Sequence, residues 1–250
     1  MIDLPEWLPR RPAIRLRAAS PGDVVVGQLG GSAALPVGHP WPMISEEEPF
    51  TFVARLDCGA LSEYEVDLEL PRGGSLLFFL PRLEEVGDES LVLYVPDGVE
   101  TAGRLVPDHL RHPSEEYDHP LVELTGQPIL TVPRPYHPVL DHDRLAAVAE
   151  LWRRRRSTPG HQVGGYSDVF QGPLEVGAAC ATFRPYAGDS PHADPEFLTE
   201  ARKWVTLLHL EEDSDARMGW GDGGIALWAI RREDLAARDF GATYFTTQSH

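Results

Sequence analysis

Apolar runs of four to seven residues recur along the chain, at Phe50 to Leu56, Ser75 to Leu80, Leu91 to Val95, Val205 to Leu210, Ile225 to Ile230 and Tyr244 to Thr247. Glycines and prolines bound them, so length and punctuation predict strands. Helical periodicity is scarce. Leu145, Val148, Ala149 and Trp152 fall on one face behind Asp141, a capping residue type, and predict a helix over about 143 to 155; a shorter one is expected near Glu233 to Ala237. The stretches 22 to 41 and 95 to 142 are rich in Pro, His and Gly with weak periodicity, and read as long connections or irregular strands.

The pattern also repeats. Phe52-Val53-Ala54-Arg55-Leu56-Asp57 followed by Gly73-Gly74 and an apolar run parallels Leu207-Leu208-His209-Leu210-Glu211 followed by Gly223-Gly224 and another. Arg55 and His209 lie 154 positions apart, Gly73 and Gly223 lie 150 apart, and the upstream pairs Gly30-Gly31 and Gly164-Gly165 lie 134 apart. A period this long predicts a duplicated unit rather than a solenoid, with about 20 extra residues in the second copy, placed at Phe183 to Pro195. The fold expected is mainly β, a β-rich α+β chain of roll-like or barrel-like sheets with few short helices. It is one domain over 1–250, with repeats at 24–95 and 162–247 joined by an irregular linker and helix at 96–161. The glycine pairs suit chain reversal before a strand; neither is a phosphate loop, because no Lys-Ser/Thr follows.

Composition narrows the partners. Twenty-two Lys and Arg against 39 Asp and Glu give a formal charge of −17, which opposes binding to a phosphate backbone. The one basic run, Arg153 to Arg156, ends the predicted helix, where cations suit the helix dipole. Nucleic acid and membrane are therefore not expected as partners. Cys58 and Cys180 have no metal-binding or redox spacing, and the N-terminus has neither a basic start nor an apolar run, so a cytoplasmic location is expected.

Taken together, Gly27-Gln28-Leu29-Gly30-Gly31 through Trp41-Pro42, Pro49 to Asp57, Leu70 to Phe79, Gly164-Gly165-Tyr166 with Gln171-Gly172, and Trp220-Gly221-Asp222-Gly223-Gly224 resemble the YwqG-like family of uncharacterised bacterial proteins. The resemblance implies an internally duplicated, mainly β roll and carries no assigned activity, cofactor or catalytic residue. Members of that family often have Gln in the middle of the two matching strands, where this chain has Arg55 and His209.

Arg55 and His209 are thus repeat-equivalent polar residues in apolar strands. Packing about a pseudo-two-fold axis places both near a shared cleft, as a fork and an imidazole for a carboxylate or phosphate. His39, Trp41, Tyr166 and Gln171 are the distinctive polar and aromatic residues of the Gly-rich connections, suited to lining a pocket or to pinning loops on the core. The acidic loop Glu211 to Asp215, with Asp222, offers hard oxygen donors, although Arg217, Met218 and Gly224 break the EF-hand pattern. His109, His112 and His119 lack a third ligand at fixed spacing, and no nucleophile elbow is present. The expectation is a non-enzymatic module for a small ligand or protein, without cofactor or metal. The alternative is a divalent-metal hydrolase using Asp213 and Asp222.

Overall fold

A computed structural model describes residues 4–81, 89–112, 117–154 and 160–249. The protein is mainly β. Its strands are β1 (Arg11–Ala18), β2 (Val25–Leu29), β3 (Ala33–Pro36), β4 (Thr51–Asp57), β5 (Ser75–Leu80), β6 (Leu91–Val95), β7 (Thr101–Arg104), β8 (Val122–Thr131), β9 (Gln162–Val163), β10 (Trp204–Glu211), β11 (Ile225–Arg231) and β12 (Tyr244–Gln248). The helices are α1 (Cys58–Leu61), α2 (Leu145–Arg154), α3 (Leu174–Thr182), α4 (Pro195–Ala201) and α5 (Arg232–Ala237). Among the described residues no helix is long and apolar enough to cross a membrane.

Ten strands form one antiparallel sheet in the order β12-β11-β10-β9-β1-β8-β2-β4-β5-β6, and β3 pairs with β7 as a separate ribbon. Six strands separate β5 from β11, which in a flat sheet would hold them roughly 33 Å apart. Instead the rings of Phe78 on β5 and Trp228 on β11 meet edge to face at 5.4 Å. The sheet is therefore curled into a half-barrel, with its main core inside the curl. Ile14, Leu16, Leu29, Leu56, Phe78, Leu208, Trp228 and Phe245 fill that interior.

Strand alternation sends the intervening residues to the outer face. On β5, Leu77 and Phe79 pack outside against Phe52, Trp41 and Leu35, under the β3–β7 ribbon. On β11, Leu227 and Ala229 pack outside with Trp204 against Leu174 and Ala178 of α3. A sheet buried on both faces explains why these strands read as unbroken apolar runs rather than as alternation.

The two flanks are wired alike. Gln28 of β2 stands opposite Arg55 of β4, and its amide donates to the carbonyls of Gly30 at 2.7 Å and Ser32 at 3.3 Å. Gln162 of β9 stands opposite His209 of β10 and donates to Gly164 at 2.7 Å and Tyr166 at 3.2 Å. In both turns the glycine pair has positive φ, which only Gly takes at little cost.

Several sequence expectations need correction. The stretch 96–161 is not an irregular linker: its ten-residue strand β8 lies at the centre of the sheet, paired with both β1 and β2. Pro128 disguises it, and is tolerated because it lies beyond the last rung to β2, with β1 alone alongside. The extra length before β10 contains α3 and α4 as well as the Pro- and Asp-rich stretch between them. Helix α2 is preceded by a short 3-10 turn, His142–Arg144, which Asp141 does not cap with its side chain. Of the basic run, Arg155 and Arg156 lie outside the described residues, as does Pro113 beside the His109 and His112 pair.

Candidate functional site

The polar pocket that gathers most chemistry lies on the outer face of the sheet over β8, β1, β9 and β10. It has a volume of about 300 Å³, and its floor is a row of neighbouring strands: Arg15 on β1, Gln162 on β9, His209 and Glu211 on β10. Thr131 and Val132 at the end of β8, with Ile129 and Leu130, form one wall, and Trp152 of α2 leans over it. Gly160 and the segment carrying Tyr166 and Asp168 close the rest.

Backbone geometry places these side chains. Gln162 is buried and ties down the turn after β9 from below. From above, Asp67 accepts the Gly165 N–H at 2.7 Å, and Thr131 Oγ1 accepts the Tyr166 N–H at 2.9 Å. Gly165 passes so close to β1 and β8 that a Cβ there would stand 2.5 Å from Thr131 Oγ1 and 2.7 Å from Ala13 Cβ. Tyr166 is consequently locked, with Arg11 stacked 4.3 Å over its ring and His137 against its edge, and burial raises its hydroxyl pKa. Arg134 pairs with Asp168 and stacks 4.1 Å from the Trp152 ring, joining loop and helix at the rim.

His209 is the centre of the floor. It is 1% exposed, and its Nε2 lies 3.2 Å from Glu211 Oε1. An ionised carboxylate only accepts, so the Nε2–H donates to Glu211. Nδ1 is buried without a hydrogen-bond partner. Burial pushes the Glu211 carboxyl up, but the hydrogen bond and charge of His209 and the N–H of Gly160 outweigh it and hold Glu211 below the usual carboxylate range. Beneath β10, His161 Nδ1 accepts the Glu211 N–H at 3.1 Å while its Nε2 faces Asp213 at 3.2 Å, which fixes the strand end.

Of the residues singled out by sequence, His209, Tyr166 and Glu211 of the acidic loop line this pocket. Arg55 does not join them: β2, β8, β1 and β9 stand between its strand and that of His209. Its Nε is buried without a partner on the other flank. Trp41 is a core residue, 4% exposed, donating to the Phe50 carbonyl at 2.8 Å and meeting Phe79 edge to face. His39 is held in a turn, its Nδ1 2.7 Å from the Pro40 carbonyl and its own carbonyl bound by Arg104. Gln171 borders a different groove and ties to the C-terminal end, its N–H to Gln248 Oε1 and its amide to the Ser249 carbonyl.

The acidic loop is a turn. Asp213 pairs backbone to backbone with Met218, and its carboxylate accepts the Ala216 N–H at 2.7 Å besides facing His161. Asp222 is exposed, and the Gly224 N–H beside it is bound by Glu212 at 3.2 Å instead. Among the described residues, no three His, Cys, Asp or Glu side chains are grouped to hold a metal ion.

Arg15, Gln162 and Asp168 escaped the sequence reading, which uses Trp152 only for the helix stripe and Glu211 only as an oxygen donor of the acidic loop. Gln162 alone left a signal, because Gln28-Leu29-Gly30-Gly31 and Gln162-Val163-Gly164-Gly165 share one spacing. No curated protein matches the chain. Residues 27–249, from β2 to just beyond β12, match the model of DUF1963, a domain of unknown function, and the chain belongs to that family.

Proposed function

We propose that the protein is a non-enzymatic binding module that takes a small polar molecule in the pocket above His209. The observation that carries this reading is the cavity of about 300 Å³ that gathers Gln162, His209, Glu211 and Asp168 on one face of the sheet, beside which the His209 Nδ1 is buried without a hydrogen-bond partner, at a cost of about 1–3 kcal/mol. The surrounding donors and acceptors come from β1, β9, β10 and a pinned loop, a preorganised arrangement that lowers the cost of binding. The hydrolase alternative has less support, since Asp213 serves a turn and Asp222 lies apart from it in solvent.

Within DUF1963 we place the chain as a YwqG-like, cytoplasmic protein, and we infer that its flanks 24–95 and 162–247 arose by duplication within a single domain. The matching Gln-to-carbonyl bonds and the opposed pairs Gln28–Arg55 and Gln162–His209 support that origin. In this reading Arg55 and His209 diverged, and the binding role stayed with the His209 flank.

Thermal melts with a panel of amino acids, amines, organic acids, polyols and nucleosides test the function. At least one class is expected to raise the melting temperature of the wild type in a concentration-dependent manner and not that of His209→Phe. Equal stabilisation of both proteins by every active compound, or of neither by any, refutes the pocket reading.

A further inference from the structure

The β3–β7 ribbon, on the flank away from the pocket, leaves one strand edge open. Strand β7 pairs with β3 and with no other strand among the described residues, and Thr101, Ala102 and Gly103 are exposed. The Val37 N–H donates to the Glu100 carbonyl at 2.9 Å, so these two form a hydrogen-bonded rung that continues the register Pro36–Thr101 and Ala34–Gly103. Such rungs alternate along an antiparallel ladder. Glu100, Ala102 and Arg104 therefore turn their backbone groups to β3, while Thr101 and Gly103 turn theirs to solvent. An open edge is normally blunted by proline, a bulge or charges that repel a second strand. Strand β7 has no proline and no break in its register, and the two charges at its ends, Glu100 and Arg104, are of opposite sign.

We infer that this edge pairs with β7 of a second copy of the chain, antiparallel about a two-fold axis at Ala102. The segment Val99-Glu100-Thr101-Ala102-Gly103-Arg104-Leu105 is complementary to itself when read in the opposite direction. With Ala102 opposite its own copy, Thr101 of one chain faces Gly103 of the other, Glu100 faces Arg104 and Val99 faces Leu105, each pair occurring twice. Thr101 and Gly103 are the residues with open N–H and C=O groups, so their two rungs supply four hydrogen bonds. Glu100 and Arg104 fall on the rungs between, where opposed side chains lie closest. Among the described residues neither is in an ion pair: Arg104 donates to the His39 carbonyl, a neutral acceptor that leaves its charge in place. Val99 is 40% and Leu105 48% exposed in the single chain, and across the pair each covers the other. Sliding the register by two residues keeps the open backbone groups in line, but sets Ala102 against Glu100 or Arg104 and parts Val99 from Leu105. The seven residues span roughly 20 Å, a short contact, and each copy carries a charge of −17, so the dimer belongs to the weak, exchanging class.

Sedimentation equilibrium of the full chain in about 0.15 M salt, loaded from about 10 µM to about 1 mM, tests this. The wild type is expected to show a reversible monomer–dimer equilibrium. Thr101→Pro removes an N–H that points away from β3, so the ribbon is kept and the protein should become monomeric. Glu100→Arg alone and Arg104→Glu alone each set like charges against one another twice, and each should weaken self-association about tenfold or more. An equimolar mixture of those two variants restores opposite charges at both pairs and should dimerise about as well as the wild type. That recovery excludes loss of the fold as the cause of the weakening. A wild type that stays monomeric to about 1 mM overturns the inference and leaves the edge to an extended segment of another protein. A dimer that Thr101→Pro or the charge variants leave unchanged, or a mixture that does not recover, overturns it as well.

Discussion

Replacing Gln162 with leucine isolates what holds the pocket loop in place. The amide donates to two carbonyls, Gly164 at 2.7 Å and Tyr166 at 3.2 Å, and all three residues are buried. Leucine has nearly the same volume and no donor, so both carbonyls lose this partner while packing is retained. Each orphaned buried acceptor costs about 1–3 kcal/mol, and leucine returns about 1 kcal/mol through its apolar surface, so a net loss of about 1–5 kcal/mol is expected for the two. The internal control is Gln28→Leu. Gln28 is half-buried, and one of its two acceptors, the Ser32 carbonyl, belongs to an exposed residue that water can satisfy, so the loss there should be about 1 kcal/mol. Equilibrium urea unfolding at one pH reads both, provided the denaturant slope is unchanged. Gln162→Glu should be worse than Gln162→Leu, because a carboxylate oxygen then faces the carbonyls. A cost for Gln162→Leu below about 0.5 kcal/mol, or no larger than that of Gln28→Leu, refutes the claim that this amide fixes the turn carrying Tyr166.

The Glu211 and Asp213 carboxyls are both held below their usual values, Glu211 against its burial by His209 and Gly160, Asp213 chiefly by His161. A depressed carboxylate contributes stability above its unfolded pKa, about 4, that is lost as pH falls through the folded value, so Glu211→Gln should flatten the decline of melting temperature below pH 5 relative to wild type. An unchanged slope contradicts the assignment. Burial pushes the Cys58 thiol up to about 12, with Asp57 and Asp97 adding to it, whereas Cys180 is only partly buried. A thiol reagent at pH 8 should therefore label one cysteine in the native protein and two in denaturant, and rapid native labelling of Cys58 overturns this. Asp222→Ala should stay within about 0.5 kcal/mol of wild type, since the residue is exposed, while Glu212→Ala should cost about 1 kcal/mol through the Gly224 N–H. Urea unfolding that ranks the two in the opposite order refutes the turn assignment.

The sequence determined the parts that depend on neighbours in the chain. Strands β4, β5, β6, β10, β11 and β12 are buried on one or both faces, so they appear as apolar runs between Gly and Pro, and α2 shows its one apolar stripe. The glycine pairs announced their reversals because positive φ is a local demand. Tertiary structure decided the rest. Strand β1 carries Arg11, Arg15 and Arg17 on its outer side, so it reads as a charged segment until Tyr166 gives Arg11 a place, the pocket wall Arg15 and Asp23 Arg17. Strand β9 has only two residues, too short for any periodic signal, and is held by pairing to β1 and β10. The pocket assembles residues 15, 131, 152, 162, 168 and 211, which no spacing connects. Arg55 and His209 match in sequence register, yet their distance depends on how many strands lie between them and how the sheet curls. Those are properties of long-range hydrogen-bond pairing, and local sequence carries no trace of them.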